Sequence, residues 1–150
     1  ILAKAHSARL PNECVQATPS EPRADYDARL TQALSNYRID VIVLIGFMRI
    51  LSSGFVSQYR IINTHPSLLP RHAGLMDLAV HQSVLDAGDS ESGCTVHEVS
   101  DVVDGGKILH QARCVVSPTD TAKTLKDKVQ ACEADALIQT LIQLSQEQTR

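Results

Sequence analysis

Apolar residues recur along this chain with different periods, and each period predicts a different element. From Arg23 to Tyr37 the positions Tyr26, Leu30, Ala33, Leu34 and Tyr37 fall on one stripe of an amphipathic helix. Ile39 to Gly46 is instead an almost unbroken β-branched run, too short for a comfortable helix. It reads as a strand buried on both faces of a parallel sheet. Phe47 to Leu51 turns away from it, and Ile61-Ile62-Asn63 gives the next buried strand. Ser92 to Val99 alternates like a strand, and Asp104-Gly105-Gly106 makes a tight turn into a further extended run, Lys107 to Val116. That pair predicts an antiparallel extension of the sheet.

Two helices complete the pattern. Asp77 is placed to cap one that stops at Gly88, and Asp120 to cap a long one with the seam Leu125, Val129, Cys132, Ala136, Leu137, Leu141 and Leu144. The polar residues after that seam are expected to fray. Ile1 to His6 reads as the tail of a helix, and Cys14 to Ala17 as a short strand between Pro11 and Pro19. Strands alternating with helices predict a three-layered α/β fold, with ligands at the carboxyl ends of the parallel strands. No repeat, low-complexity stretch or linker interrupts the 150 residues, so a single domain spanning 1–150 is expected.

Composition removes several function classes. The charge is mildly acidic, 14 Lys and Arg against 17 Asp and Glu, and three Tyr, two Phe and no Trp leave little to stack on bases. No nucleic-acid partner is expected. No apolar run reaches the length of a membrane span, so a soluble protein without a membrane partner is expected. The four cysteines, at 14, 94, 114 and 132, have no CxxC spacing and sit among apolar neighbours, which suits reduced, buried thiols in a cytoplasmic protein.

Chemistry concentrates where the second strand ends. Ile61-Ile62 runs into Asn63, His65 and Ser67, and Pro66 and Pro70 forbid a helix from continuing through them. In extended chain Asn63 and His65 point to the same side. An amide, an imidazole and the carboxylate of Asp104, beside two glycines that tolerate close approach, form a set suited to acyl or formyl transfer. Each has a plainer reading as well: loop satisfaction for Asn63, a packed loop histidine for His65, a turn residue for Asp104. Spacing alone supports acid–base chemistry of unspecified kind. A metal site built from His65, His72, His97 and Asp104 is a weaker alternative, since no ligand-spaced pair supports it. Arg71, His72 and His81 are read mainly as solvated loop and helix positions.

Gly46-Phe47-Met48-Arg49-Ile50-Leu51-Ser52, Ile62-Asn63-Thr64-His65-Pro66-Ser67-Leu68-Leu69-Pro70, Gly93-Cys94-Thr95-Val96-His97 and Val103-Asp104-Gly105-Gly106 together resemble the phosphoribosylglycinamide formyltransferases of purine synthesis. The similarity runs from about Arg23 to about Glu133. It implies a Rossmann-like open sheet, mostly parallel with an antiparallel extension, in a domain lacking the family's N-terminal strand, phosphate loop and helix. It also implies transfer of a formyl group from 10-formyltetrahydrofolate, as co-substrate, to the amine of glycinamide ribonucleotide, without a metal. The alternatives are a formyltetrahydrofolate deformylase and an inactive folate-binding fragment.

By the same resemblance Asn63 would hold the developing oxyanion, and His65, oriented by Asp104, would stabilise charge and move a proton. His97 would support the Asp104 side of the site. The folate would lie against Arg49, Ile50, Leu51, Val99, Ser100 and Asp101, with Phe47 and Met48 at the entrance and Arg23 near its glutamate. Gln130 and Glu133 would meet the nucleotide substrate. The pattern departs from the family at Ala134, where a His is usual, and at Leu137-Ile138, where an aromatic-proline pair is usual. Oligomeric state is not readable from the sequence.

Overall fold

A computed structural model describes residues 2–147. In chain order the elements are α1 (Leu2–Ser7), α2 (Arg23–Leu34), β1 (Ile42–Leu44), α3 (Ser53–Val56), β2 (Ile61–His65), α4 (Leu78–Asp86), β3 (Glu91–Glu98), β4 (Ile108–Val115) and α5 (Ala122–Glu147). The strands form one open mixed sheet in the order β1-β2-β3-β4. β1 and β2 are parallel, whereas β3 pairs antiparallel with both β2 and β4. The expected parallel pair and antiparallel extension are thus both present, and the extension supplies two of the three pairings.

Alternation along the strands divides the core between the two faces of the sheet. Ile62, Cys94 and Val96 pack with Val84 of α4 and with Leu125, Val129, Ala136 and Leu144 of α5. Their chain neighbour Ile61 points the other way, toward Leu51, Phe55 and the partly buried Leu30 and Leu34 of α2. Helices on both faces give the three layers. Along α5 the predicted seam is buried or packed against this core, joined by Thr140, whose hydroxyl bonds to the Ala136 carbonyl at 2.8 Å.

Several elements differ from expectation for local reasons. The Ile39–Gly46 run yields a three-residue strand whose residues are half-buried. β1 lies at the end of the strand order and pairs with β2 alone, and an apolar cleft of about 380 Å³ opens beside Ile42, Leu44, Leu34 and Phe55. Residues 14–17 form no strand; Cys14 is an exposed thiol. α2 stops at Leu34, leaving Tyr37 half exposed. Asp77 does not cap α4, because its carboxylate is drawn to Lys126 at 2.6 Å, while Gly88 follows that helix with φ +67 as expected. At the start of α5 the reciprocal bonds belong to Thr121 and Thr124, at 3.2 and 2.9 Å. Asp120 instead takes Lys128 at 2.6 Å and the Ser117 N–H at 2.7 Å. Ile1 and the end of the polar tail lie outside the described residues.

Candidate active site at the end of the second strand

Asn63 and His65 both fall within β2, so they share one face, and Pro66 ends the strand directly after them. The loop that follows is fastened to the antiparallel strands. Thr95 on β3 donates its hydroxyl to the Ser67 carbonyl at 2.6 Å and accepts the Leu69 N–H at 3.0 Å. Gln111 on β4 donates to the Leu69 carbonyl at 3.0 Å and to the Thr95 hydroxyl at 2.9 Å. Ser67 closes the turn by donating to the Arg71 carbonyl at 2.8 Å, and the Leu69-Pro70 bond is cis. Thr95 and Ser67 are fully buried. Burial of satisfied polar groups makes this loop a fixed platform.

Asp104 reaches His65 without an intermediary. Its Oδ2 lies 3.2 Å from Nδ1 of His65 and accepts the Gly74 N–H at 2.8 Å. Asp104 itself carries the positive φ of this turn, +54, a conformation that Asp tolerates better than most residues. Gly106 is small for another reason: a Cβ there would lie 1.7 Å from the Glu98 carbonyl oxygen. The close approach is therefore that of the chain's own backbone. His97, paired across the ladder with Asn63, places its Nε2 at 3.4 Å from the Asn63 amide nitrogen and 3.6 Å from Asp104 Oδ1. Its Nδ1 faces the Glu98 carbonyl at 3.0 Å. An Nδ1–H donating there leaves Nε2 free to accept from the Asn63 amide.

Both ring nitrogens of His65 face acceptors, the Asp104 carboxylate and, at 3.1 Å from Nε2, the His72 carbonyl. That is the bonding pattern of an imidazolium, with two donors. Burial works against the charge and pulls the His65 pKa below its ordinary value, while Asp104 and the His72 carbonyl push it back up. The outcome is a ring whose charged form has a hydrogen-bond partner at each nitrogen but is disfavoured by burial. A buried imidazole so poised, next to an amide, can exchange a proton and support a developing negative charge.

The loop after β1 is positioned from α2. Arg49 stacks its guanidinium over the Tyr26 ring, 4.5 Å from the centroid, and Asp27 accepts the Ser52 N–H at 2.6 Å. Tyr26 and Asp27 are both buried, and Asp27 Oδ1 has no partner. Leu51 is buried and Phe47 half-buried in the same apolar cluster as Val99 of the β3–β4 loop. Met48 and Ile50 are more than half exposed, as are Val102 and Val103 across from them in sequence. Ser100 and Asp101 are exposed, and Arg23 is exposed at the first residue of α2.

On α5, Gln130 is exposed and Glu133 half-buried, its pKa raised by burial against the opposing charge of Lys126. Among the described residues neither hydrogen-bonds Asn63, His65 or Asp104. No group of three His, Cys, Asp or Glu among those residues is placed to hold a metal. His72 turns its ring away from His65, toward Ser83 and Asp89. Cys94 is buried, which pushes its thiol up to about 11.

Two readings from sequence are corrected here. His72 has a side chain only 9% exposed, and His81 is fully buried with its Nδ1 unpartnered, so neither is solvated. The apolar neighbours Val80 and Val84 around His81 were the available signal. Nothing local announced Tyr26, Asp27, Thr95 or Gln111 as supports for the site, because their partners lie 16 to 42 residues away.

Comparison with known proteins adds an independent line. Residues 2–141 match the formyl transferase family. The chain is 40% identical to the phosphoribosylglycinamide formyltransferase of Escherichia coli over 134 residues, covering 88% of this chain and 62% of that protein. It is also 40% identical over 145 residues, 95% of its length, to the trifunctional purine biosynthetic protein adenosine-3 of Drosophila melanogaster, of which it covers 10%. The chain thus spans less than two thirds of either relative. The crystal structure of phosphoribosylglycinamide formyltransferase from Anaplasma phagocytophilum superposes with a TM-score of 0.87 at 32% identity, covering 97% of this chain and 69% of that one.

Proposed function

Because the chain belongs to the formyl transferase family, we propose that it carries the reaction centre for moving a formyl group from 10-formyltetrahydrofolate to the amine of glycinamide ribonucleotide. The observation that carries this reading is the convergence of Asn63 and His65 on one face of β2 with Asp104 closing on His65 at 3.2 Å. The amine attacks the formyl carbon, the carbonyl oxygen becomes an oxyanion, and the bond from carbon to the folate nitrogen breaks as that nitrogen gains a proton. In this reading the Asn63 amide donates to the oxyanion, and His65, held by Asp104, offsets its charge and passes the amine's proton toward the leaving nitrogen. His97 orients the Asn63 amide and lines the far side of Asp104.

The folate is assigned to the two loops that contribute Leu51, Phe47 and Val99 to one apolar cluster. Main-chain groups of Arg49, Ile50, Leu51, Val99, Ser100 and Asp101 would read the pterin edge, Phe47 and Met48 would flank it, and Arg23 would meet the glutamate carboxylate. Gln130 and Glu133 are assigned to the nucleotide substrate. Both partners are small molecules, and a single cytoplasmic domain over 1–150 fits this role. The hydrolytic alternative has less support, since the Escherichia coli relative at 40% identity is a transferase by name, whereas a formyltetrahydrofolate deformylase matches in fold at 24% identity.

The test is a formyl-transfer assay in which both 10-formyltetrahydrofolate consumption and N-formylated glycinamide ribonucleotide are followed. Product should appear only with both substrates present. Folate deformylation at an equal rate without the nucleotide would establish the hydrolase instead.

A further inference from the structure

We propose that His72 is a positioning residue for His65: its imidazole staples the 71–74 loop to the body of the protein, and the loop's backbone then holds the His65–Asp104 pair from two sides. The role in turnover rests on the formyl-transfer reading above; the staple itself does not.

Both contacts from this loop to the pair are main-chain groups. The His72 carbonyl accepts from Nε2 of His65 at 3.1 Å, and the Gly74 N–H donates to Asp104 Oδ2 at 2.8 Å. Backbone groups hold a partner only as well as the loop itself is held. Ala73, Gly74, Leu75 and Met76 are exposed and contribute little packing. His72 has φ +60, a left-handed conformation unfavourable for a residue with a Cβ and one that persists where surrounding contacts impose it.

Those contacts come from the His72 ring. Nδ1 lies 2.8 Å from the Ser83 hydroxyl on α4, and Nε2 lies 2.9 Å from Asp89 Oδ2, just beyond the end of that helix. Arg71 adds a 2.6 Å bond to the other oxygen of Asp89, but its side chain is 62% exposed, so that pair is the weaker anchor. The imidazole therefore bridges two fixed points of the α4 segment from one side chain, while the carbonyl of the same residue reaches His65. The Ser83-His72-Asp89 order is not a nucleophile assembly, because Ser83 lies within a helix whose backbone N–H groups are engaged in the helix and supply no oxyanion donors.

The proposal predicts that loosening the ring bonds alters His65 although no group touching His65 through a side chain has changed. The charged and titratable groups around His65 are Asp104 from the β3–β4 loop, His97 from β3, His72 itself and His81 from α4. His72→Gly keeps the left-handed backbone accessible and removes the staple, and Asp89→Asn leaves the ring in place but weakens its bond to the ring together with the exposed Arg71 pair. The ring-proton titration of His65 is followed by NMR in the ligand-free 150-residue chain, with circular dichroism to establish folding, and kcat and KM are measured in parallel.

The expected result is a lower His65 midpoint in Asp89→Asn, because the carbonyl partner of the charged ring is lost; in His72→Gly the loss of the His72 ring charge, which itself lowers the His65 pKa, works against that fall, so this variant is read by kcat. A fall in kcat of about tenfold with nearly unchanged KM for both substrates is expected in both variants. In the His72→Gly background Asp89→Asn should add only the smaller effect of the exposed Arg71 pair, since its other contact is the staple already removed. An unmoved His65 titration in folded Asp89→Asn overturns the staple, as does a loss confined to KM in either variant. If His72→Gly does not fold, Asp89→Asn alone decides the matter by the same readings. A shifted titration in a protein whose parent transfers no formyl group supports the staple and overturns the formyl-transfer reading.

Discussion

The end of β2 and the loop after β1 lie at the same end of the parallel pair, yet they are built in opposite ways. Around His65, 4% exposed, nearly every polar group is bonded: to Asp104, to the nearby His72 carbonyl, and through the loop platform to the distant Thr95 and Gln111. Around Arg49 the loop presents Met48 and Ile50 to solvent and is held by two anchors from α2, Tyr26 and Asp27. Charge developing during a reaction is met most effectively by groups fixed beforehand, whereas a flat aromatic ligand can be gripped by exposed apolar side chains and main-chain edges. The difference suggests that damage to the first region should appear in turnover and damage to the second in affinity.

The largest effect should come from Asn63→Ala, a loss of about 10²-fold or more in kcat with little change in KM for the folate. Steady-state kinetics with the folate varied would test it, and unchanged turnover would sink the oxyanion assignment. Asp104→Asn should lower kcat by less and should also move the pH–rate limb that reports His65 toward lower pH, because the lost carboxylate had been raising that pKa. Asparagine tolerates the left-handed backbone at this position, so the fold should survive. A profile scaled down with both limbs in place would argue against a role in charge and proton handling.

On the other wall, Asp27→Ala leaves the Ser52 N–H without its partner and removes one of the two anchors of the 47–52 loop. It should raise KM for the folate several-fold, leave kcat near its original value and destabilise the fold by about 1–3 kcal/mol. Denaturant melts alongside the kinetics would show both. If kcat fell as steeply as for Asn63→Ala, the contrast between the two walls would be wrong.

The smallest effect concerns stability and pH. His65 and His81 both have pKa values lowered mainly by burial. The unfolded chain then binds protons that the folded one resists, so stability is full above the ordinary histidine value near 6.5 and is lost as pH falls through the folded values. The slope is at most about 1.4 kcal/mol per pH unit for each proton taken up. His81→Leu should flatten part of that decline, with little cost at neutral pH, because the imidazole's Nδ1 is already unpartnered. Urea midpoints at mildly acidic and neutral pH would measure it; an unchanged slope would count against His81 as a contributor.

Sequence alone carried the architecture a long way, because its signals are local. The β-branched runs, the α5 seam and the Pro66 and Pro70 stops each depend on residues within a few positions of one another, and period and proline chemistry act at that range. Asn63 and His65 were legible for the same reason, being two residues apart in one strand. Their pairing with Asp104, the reach of His72 to Ser83 and Asp89, and the anchoring of Ser52 by Asp27 were decided only when the sheet closed and distant loops met. So were the brevity of β1 and the transfer of Asp77 from helix cap to ion pair with Lys126. Hydrogen bonds and ion pairs act over a few ångströms of space with no regard for chain separation, so a pattern along the sequence cannot encode which of them will form.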